Sequence, residues 1–211
     1  NTLEHQPQKV AAMEGNWEAR SHVPLLLFAL PDEAARENRM EVGIPSLASI
    51  ILTHDPAGVV PGLNDFVAED GTALHPPVSA VFWSFRVMVG TGMLMLAASW
   101  LGVALLWRRG ADALPRPYLM ALTGMSFAGW IATLAGWYTT EIGRQPWLVQ
   151  GVLTVREAVG DVAGGMVLST LMAYLAVYAA LLLAYLGVIF HLARKAAGVE
   201  RPALPVLQPA E

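Results

Sequence analysis

VSAVFWSFRVMVGTGMLMLAASWLGVALLW, residues 78–107, carries one charge in thirty residues, Arg86. About 20 apolar residues suffice to cross the roughly 30 Å hydrocarbon layer of a bilayer. Two further stretches meet the same length test. Leu119 to Thr140 has no charged residue, and Glu141 stands immediately after it; Gly164 to Leu192 has no Asp, Glu, Lys or Arg. A segment in hydrocarbon must satisfy its own backbone, and for single apolar stretches of this length helix is the solution. The sequence therefore predicts an all-α integral membrane protein with three transmembrane helices.

Composition agrees. Of 211 residues, 55% are hydrophobic and 14% charged, with a mean hydropathy of +0.47; an ordinary soluble domain carries about 25% charged residues. The formal net charge of −4 gives no electrostatic footprint for nucleic acid. The absence of cysteine excludes disulfides, thiolate metal sites, iron–sulfur ligation and a cysteine nucleophile. No phosphate loop, dinucleotide fingerprint, nucleophile elbow or internal repeat is present. Nothing near Asn1 has a basic n-region, apolar h-region and cleavage site, and the chain reads as a fragment or internal piece of a longer protein.

Charge is unevenly distributed. Up to Val78 there are eleven anions against four cations (Lys9, Arg20, Arg36 and Arg39), interrupted by Gln6-Pro7, Leu30-Pro31, Asp55-Pro56 and His75-Pro76-Pro77. This region reads as a water-exposed loop with short helices at Gln8–Arg20 and Ser46–Thr53. The apolar run Val23–Leu30 contains Pro24 and is too short to span a bilayer. Arg108, Arg109 and Arg116 follow the first span, and Arg194, Lys195 and Arg201 follow the last. The positive-inside rule puts both clusters in the cytoplasm. The expected order is an extracytoplasmic loop at 1–78, a span at 79–107, a cytoplasmic loop at 108–118 and a span at 119–141. An extracytoplasmic loop at 142–163, a span at 164–193 and a cytoplasmic tail at 194–211 complete it.

Few residues can carry chemistry. Arg86 lies about eight residues inside its span, where an arginine costs from roughly 2.5 to well over 10 kcal/mol. It either snorkels to the interface or neutralises an anion, such as a carboxylate or a cofactor propionate. Met88 is either packing or a thioether ligand. In GWYTTEIGRQPW (136–147), Glu141 and Arg144 are one turn apart at a membrane boundary and are bracketed by Trp137, Tyr138 and Trp147. They form an interfacial ion pair, or hold a carboxylate where it can bind metal or handle protons. Lys9 and Glu14 lie on QPQKVAAMEGNW (6–17), five positions and about 140° apart on a helix, a spacing that by itself reads as a solvated, mixed-charge helix. His5, His22, His54, His75 and His191 lack metal-ligand spacing. Intramembrane Arg and Glu also suit a transporter or channel component, or an assembly subunit whose charges pair helices.

QPQKVAAMEGNW, FWSFRVMVG (82–90) and GWYTTEIGRQPW, in this order, resemble subunit I of cytochrome bd-type quinol oxidases, over the C-terminal half of that subunit. The resemblance implies part of a larger haem-binding helical bundle in the bacterial cytoplasmic membrane, belonging to a respiratory terminal oxidase that oxidises quinol and reduces dioxygen to water. It implies low-spin haem b with Met88 as an iron ligand and Arg86 beside it. It also implies a high-spin pair, haem b with haem d or a second haem b, with Glu141 as an iron ligand and Arg144 and Trp137 nearby. Lys9 and Glu14 match the pair implicated in quinol binding and oxidation, so residues 1–78 would be the quinol loop on the outer side. The implied partners are the N-terminal half of the subunit, which supplies the ligating histidines, a companion subunit II, quinol, dioxygen and lipid. The segment alone would be inactive. About 65 residues separate the first two motifs, a short loop that resembles the cyanide-insensitive branch.

Overall fold

A computed structural model of the chain describes residues 1–110 and 114–197; the expected tail beyond 197, with Arg201, lies outside the described residues. The chain forms two units, 1–159 and one beginning at Gly160. The described part of the second contains an apolar helix, Gly164–Ala197, with Arg194 and Lys195 in its last turn. All candidate site residues belong to the first unit.

The first unit opens with two short helices, α1 (Thr2–His5) and α2 (Pro7–Glu14). Pro7 starts α2 at a position where its missing N–H costs nothing. Gly15 ends it in the left-handed conformation, φ 65°, returning its N–H to Ala11 and Ala12. The expected helix to Arg20 therefore stops six residues early. Asn16 then fixes a chain reversal by donating to the carbonyls of Val60, at 3.2 Å, and Pro61, at 2.9 Å.

The run beginning at Val23 is part of a structure absent from the expected helical loop. Strands β1 (Leu25–Asp32) and β2 (Glu37–Ile44) form an antiparallel hairpin with two register irregularities. Asp32 Oδ1 accepts the N–H groups of Ala34 and Ala35, each at 3.1 Å, and closes the turn. Helix α3 (Leu47–Thr53) follows, as the sequence suggests.

Among the described residues, three apolar helices are long enough to cross a membrane. Helix α4 (Val78–Arg109) has 32 residues, about 48 Å at 1.5 Å per residue. The second span, Arg116–Ile142, comprises α5 (Arg116–Gly124), a tight turn at Met125–Phe127 and α6 (Ala128–Ile142). The third, Gly164–Ala197, is α7. Each helix is slightly longer than the span expected from the apolar run alone. Between the second and third spans, β3 (Trp147–Val149) and β4 (Leu153–Thr154) form a small hairpin.

Helices α4 and α6 pack antiparallel. Thr139 donates to Ser84 Oγ at 3.0 Å near one end, and Tyr118 of α5 donates to the Ala98 carbonyl at 3.0 Å further along. This brings the start of α4 beside the end of α6, and α2 is wedged against both. Ala11, Ala12 and Trp17 form one buried cluster with Leu63, Val78 and Val81, against which Ile142 packs. Leu26 and Ala29 of β1 meet Phe82 of α4 in another. The loop is thus a packed cap on one end of the helix pair, held by burial worth about 1.5–3 kcal/mol for a side chain such as Phe82.

Candidate functional site

The three motifs converge at that capped end, and Arg86 lies at their centre. Its guanidinium sits over the Phe82 ring, 3.3 Å from the centroid. One nitrogen, Nη1, donates to the carbonyls of Met13 and Phe82. Nη2 stands 4.0 Å from Glu14 Oε2, and both side chains are about nine-tenths buried. Among the described residues neither of these two atoms has a hydrogen-bond partner, and Arg86 Nε also lacks one. Arg86 thus faces a loop carboxylate 72 positions earlier in the sequence.

Glu14 is therefore a buried acid facing a buried base without touching it. Burial pushes its carboxyl above the ordinary carboxylate range, and Arg86 partly offsets that rise. The expectation of a solvated helix fails here: Lys9 and Glu14 are 8% and 5% exposed. Their 140° separation turns them towards different partners. Lys9 Nζ donates to Gln6 Oε1 and to the Thr140 carbonyl of α6, both at 3.1 Å. Burial and Arg144 hold its ammonium below the ordinary lysine range, while Glu141 acts in the opposite sense.

Glu141 and Trp137 are one turn apart on α6 and largely exposed on the unit, as is Arg144. Trp137 stacks on Tyr138 with centroids 5.9 Å apart. Among the described residues the ion pairs are Arg39–Asp32 and Arg86–Glu14, so Glu141 and Arg144 do not form the interfacial pair that their spacing allows. Arg144 instead donates its backbone N–H to the Glu141 carbonyl at 3.3 Å. Met88 faces α6: a Cβ placed on Gly136 would lie 2.9 Å from its sulfur. A larger residue at 136 would require the thioether to shift at this crossing.

These residues fit a haem in the part this chain can contribute. Arg86 offers two buried donors without partners to an anionic group, Met88 a thioether, and α6 an exposed face bearing Trp137 and Glu141. No histidine stands on α4, α5 or α6, and no cluster of three or more His, Asp or Glu that could hold a metal ion occurs among the described residues.

Sequence patterns gave no hint of the supporting residues. Asn38 of β2 donates to the Gly15 carbonyl at 2.8 Å and accepts from Trp17 Nε1 at 2.9 Å, which ties the hairpin to the residues just after Glu14. Gln8 donates to Gln150 at 2.7 Å, and Trp147 donates to the Leu74 carbonyl at 3.2 Å. Asn38→Ala is expected to cost about 2 kcal/mol, because it strands a buried indole N–H and a carbonyl. Amide exchange over residues 15–17 and 37–41 should accelerate roughly thirtyfold; exchange unchanged from wild type would show that the tether carries no energy.

The sequence profile for cytochrome bd terminal oxidase subunit I matches residues 1–197. The chain belongs to this family. It is 35% identical over 184 residues to cytochrome bd ubiquinol oxidase subunit 1 of Bacillus subtilis (strain 168), covering 83% of this chain and 39% of that protein. Cytochrome bd-II ubiquinol oxidase subunit 1 of Escherichia coli (strain K12) is 27% identical, with 85% and 47% covered. The solved bd oxidase of Geobacillus thermodenitrificans superposes with a TM-score of 0.71 at 31% identity, over 92% of this chain and 43% of that one. The chain thus spans less than half the length of these relatives. It is a membrane-spanning part of a cytochrome bd subunit I, a family of respiratory oxidoreductases to which haem belongs.

Proposed function

We propose that this chain is the C-terminal half of the catalytic subunit of a quinol:oxygen oxidoreductase, and that its capped end is where quinol is oxidised. The observation that carries this reading is the buried, unpartnered Glu14 oxygen 4.0 Å from Arg86, two residues before Met88. Oxidising a quinol to a quinone removes two electrons and two protons. A carboxylate whose proton affinity is raised by burial accepts such a proton well, and Arg86 keeps its ionised form accessible. An apolar groove of about 270 Å³ between β1 and α4, lined by Leu25, Leu27, Phe85, Val89 and Met93 with Arg86 in its wall, suits an amphipathic quinol.

Haem bound by the complex supplies the one-electron chemistry that links quinol to dioxygen, which takes up four electrons and four protons to give two waters. Met88 would provide a thioether ligand to a low-spin haem b, and Arg86 would hold an anionic group of it. Glu141, with Arg144 and Trp137 beside it, would serve the high-spin site, whose second haem is haem d or a further haem b. The N-terminal half of the subunit and a companion subunit II complete the assembly. The basic residues at 108–116 and 194–195 support a cytoplasmic placement of those ends and an outward-facing quinol loop in the bacterial cytoplasmic membrane.

The test is a reduced-minus-oxidised spectrum of the purified complex with quinol as sole reductant. Haem bands that appear on adding quinol, together with oxygen uptake, are the expected result. A complex without haem bands would refute the reading and favour a transporter.

A further inference from the structure

We infer that Lys9 is a positioning residue: its ammonium caps the carbonyl end of α6 and thereby fixes the turn bearing Glu141 and Arg144 to the helix bearing Glu14. Three observations converge on this. First, the last turn of α6 leaves one carbonyl to be filled. Gly143 N–H donates to Thr139 O, Arg144 N–H to Glu141 O and Gln145 N–H to Ile142 O, at 3.0–3.3 Å, and none of them serves Thr140. Lys9 Nζ does, at 3.1 Å across 131 positions of sequence. A cation at a helix C-terminus is also favoured by the aligned peptide dipoles.

Second, the lysine stem has a built passage. A Cβ at Gly143 would meet Thr139 O and would lie 2.8 Å from Lys9 Cε and 3.1 Å from Cγ. Gly143 has an ordinary φ of −66°, so its lack of a side chain serves close approach and not an unusual backbone. Third, the ammonium is aimed. Gln6 Oε1 takes a second Lys9 proton at 3.1 Å, and Gln8, from the same turn of α2, reaches Gln150 at 2.7 Å. The groups facing Lys9 are thus Gln6 on its own segment and Thr140, Glu141 and Arg144 on the other.

Lys9 and Glu14 are therefore two ends of one strut: Glu14 is held against Arg86 of α4, and Lys9 against the end of α6. A 140° separation is what a helix wedged between two others requires. In the proposed oxidase, on which the functional consequence rests but the geometry does not, Lys9 would set the distance between the quinol end and Glu141.

The test uses the purified full complex and two readouts, amide exchange over residues 136–147 and the high-spin haem bands. Lys9→Met keeps the stem and removes the donors. Exchange at 141–145 should rise about tenfold, with the high-spin bands shifted. Exchange and bands unchanged, with only the quinol KM raised, would overturn the inference and make Lys9 a direct quinol contact. Lys9→Arg retains donors for Thr140, so its exchange should stay within about threefold of wild type; a tenfold rise there would also overturn the inference, even if Lys9→Met does not assemble. A wild-type complex without haem would refute the oxidase reading and leave the exchange comparison intact.

Discussion

Glu14→Gln is expected to reduce kcat for quinol oxidation by about 100-fold or more in the full complex, the magnitude typical of losing a general base. The amide is nearly isosteric, and Glu14 Oε2 makes no hydrogen bond that the change would break. Haem content and spectra should therefore stay as in wild type. The pH profile separates this from a packing effect. Burial raises the proton affinity of Glu14, and a proton acceptor must be ionised to act. Wild-type turnover should fall on acidification, with its midpoint above the ordinary carboxylate range. In Glu14→Gln that acidic limb should vanish, and the remaining activity should be flat across it. Oxygen uptake driven by a short-chain quinol between about pH 4 and 8 measures both effects. A limb that persists in the variant would assign it to another group.

Met88→Leu is expected to abolish the low-spin haem b spectrum or to shift it strongly. Leucine matches methionine in volume and apolarity, and a swap of this kind usually costs less than about 1.5 kcal/mol of packing. It leaves room at Gly136, where the thioether now rests, but it has no lone pair for iron. A methionine ligand raises the potential of a haem, so any haem retained should titrate at a lower potential. Reduced-minus-oxidised spectra with dithionite provide the measurement. An unchanged low-spin band at an unchanged potential would make Met88 a packing residue.

The spans were legible because the criterion is length: uninterrupted apolar runs need no knowledge of their neighbours. Arg86 was legible for the related reason that a charge deep in such a run must have a partner. The identity of that partner was not, since Glu14 is far away in sequence and only the antiparallel packing of α4 on α6, with α2 wedged between, brings them together. Lys9 and Glu14 show the limit most clearly. Their spacing on one helix is poor for a joint site and ordinary for a solvated face, and burial by two different helices reverses the meaning. The β1–β2 hairpin escaped because Pro24 precedes its first strand, Pro31 lies within it, and residues 37–41, ENRME, are mostly polar. Arg36 and Met40 also take positive φ values, 55° each, which no alternation pattern announces. Asn38, which ties that hairpin to Gly15 and Trp17, has no motif of its own.

The central claim is that Glu14 takes the proton that allows quinol to reduce the haem beside Met88, and anaerobic stopped-flow mixing of the full complex with quinol measures that step directly. The low-spin haem should be reduced about 100-fold more slowly in Glu14→Gln than in wild type, while dithionite reduces the two equally. Equal rates with quinol would contradict the claim.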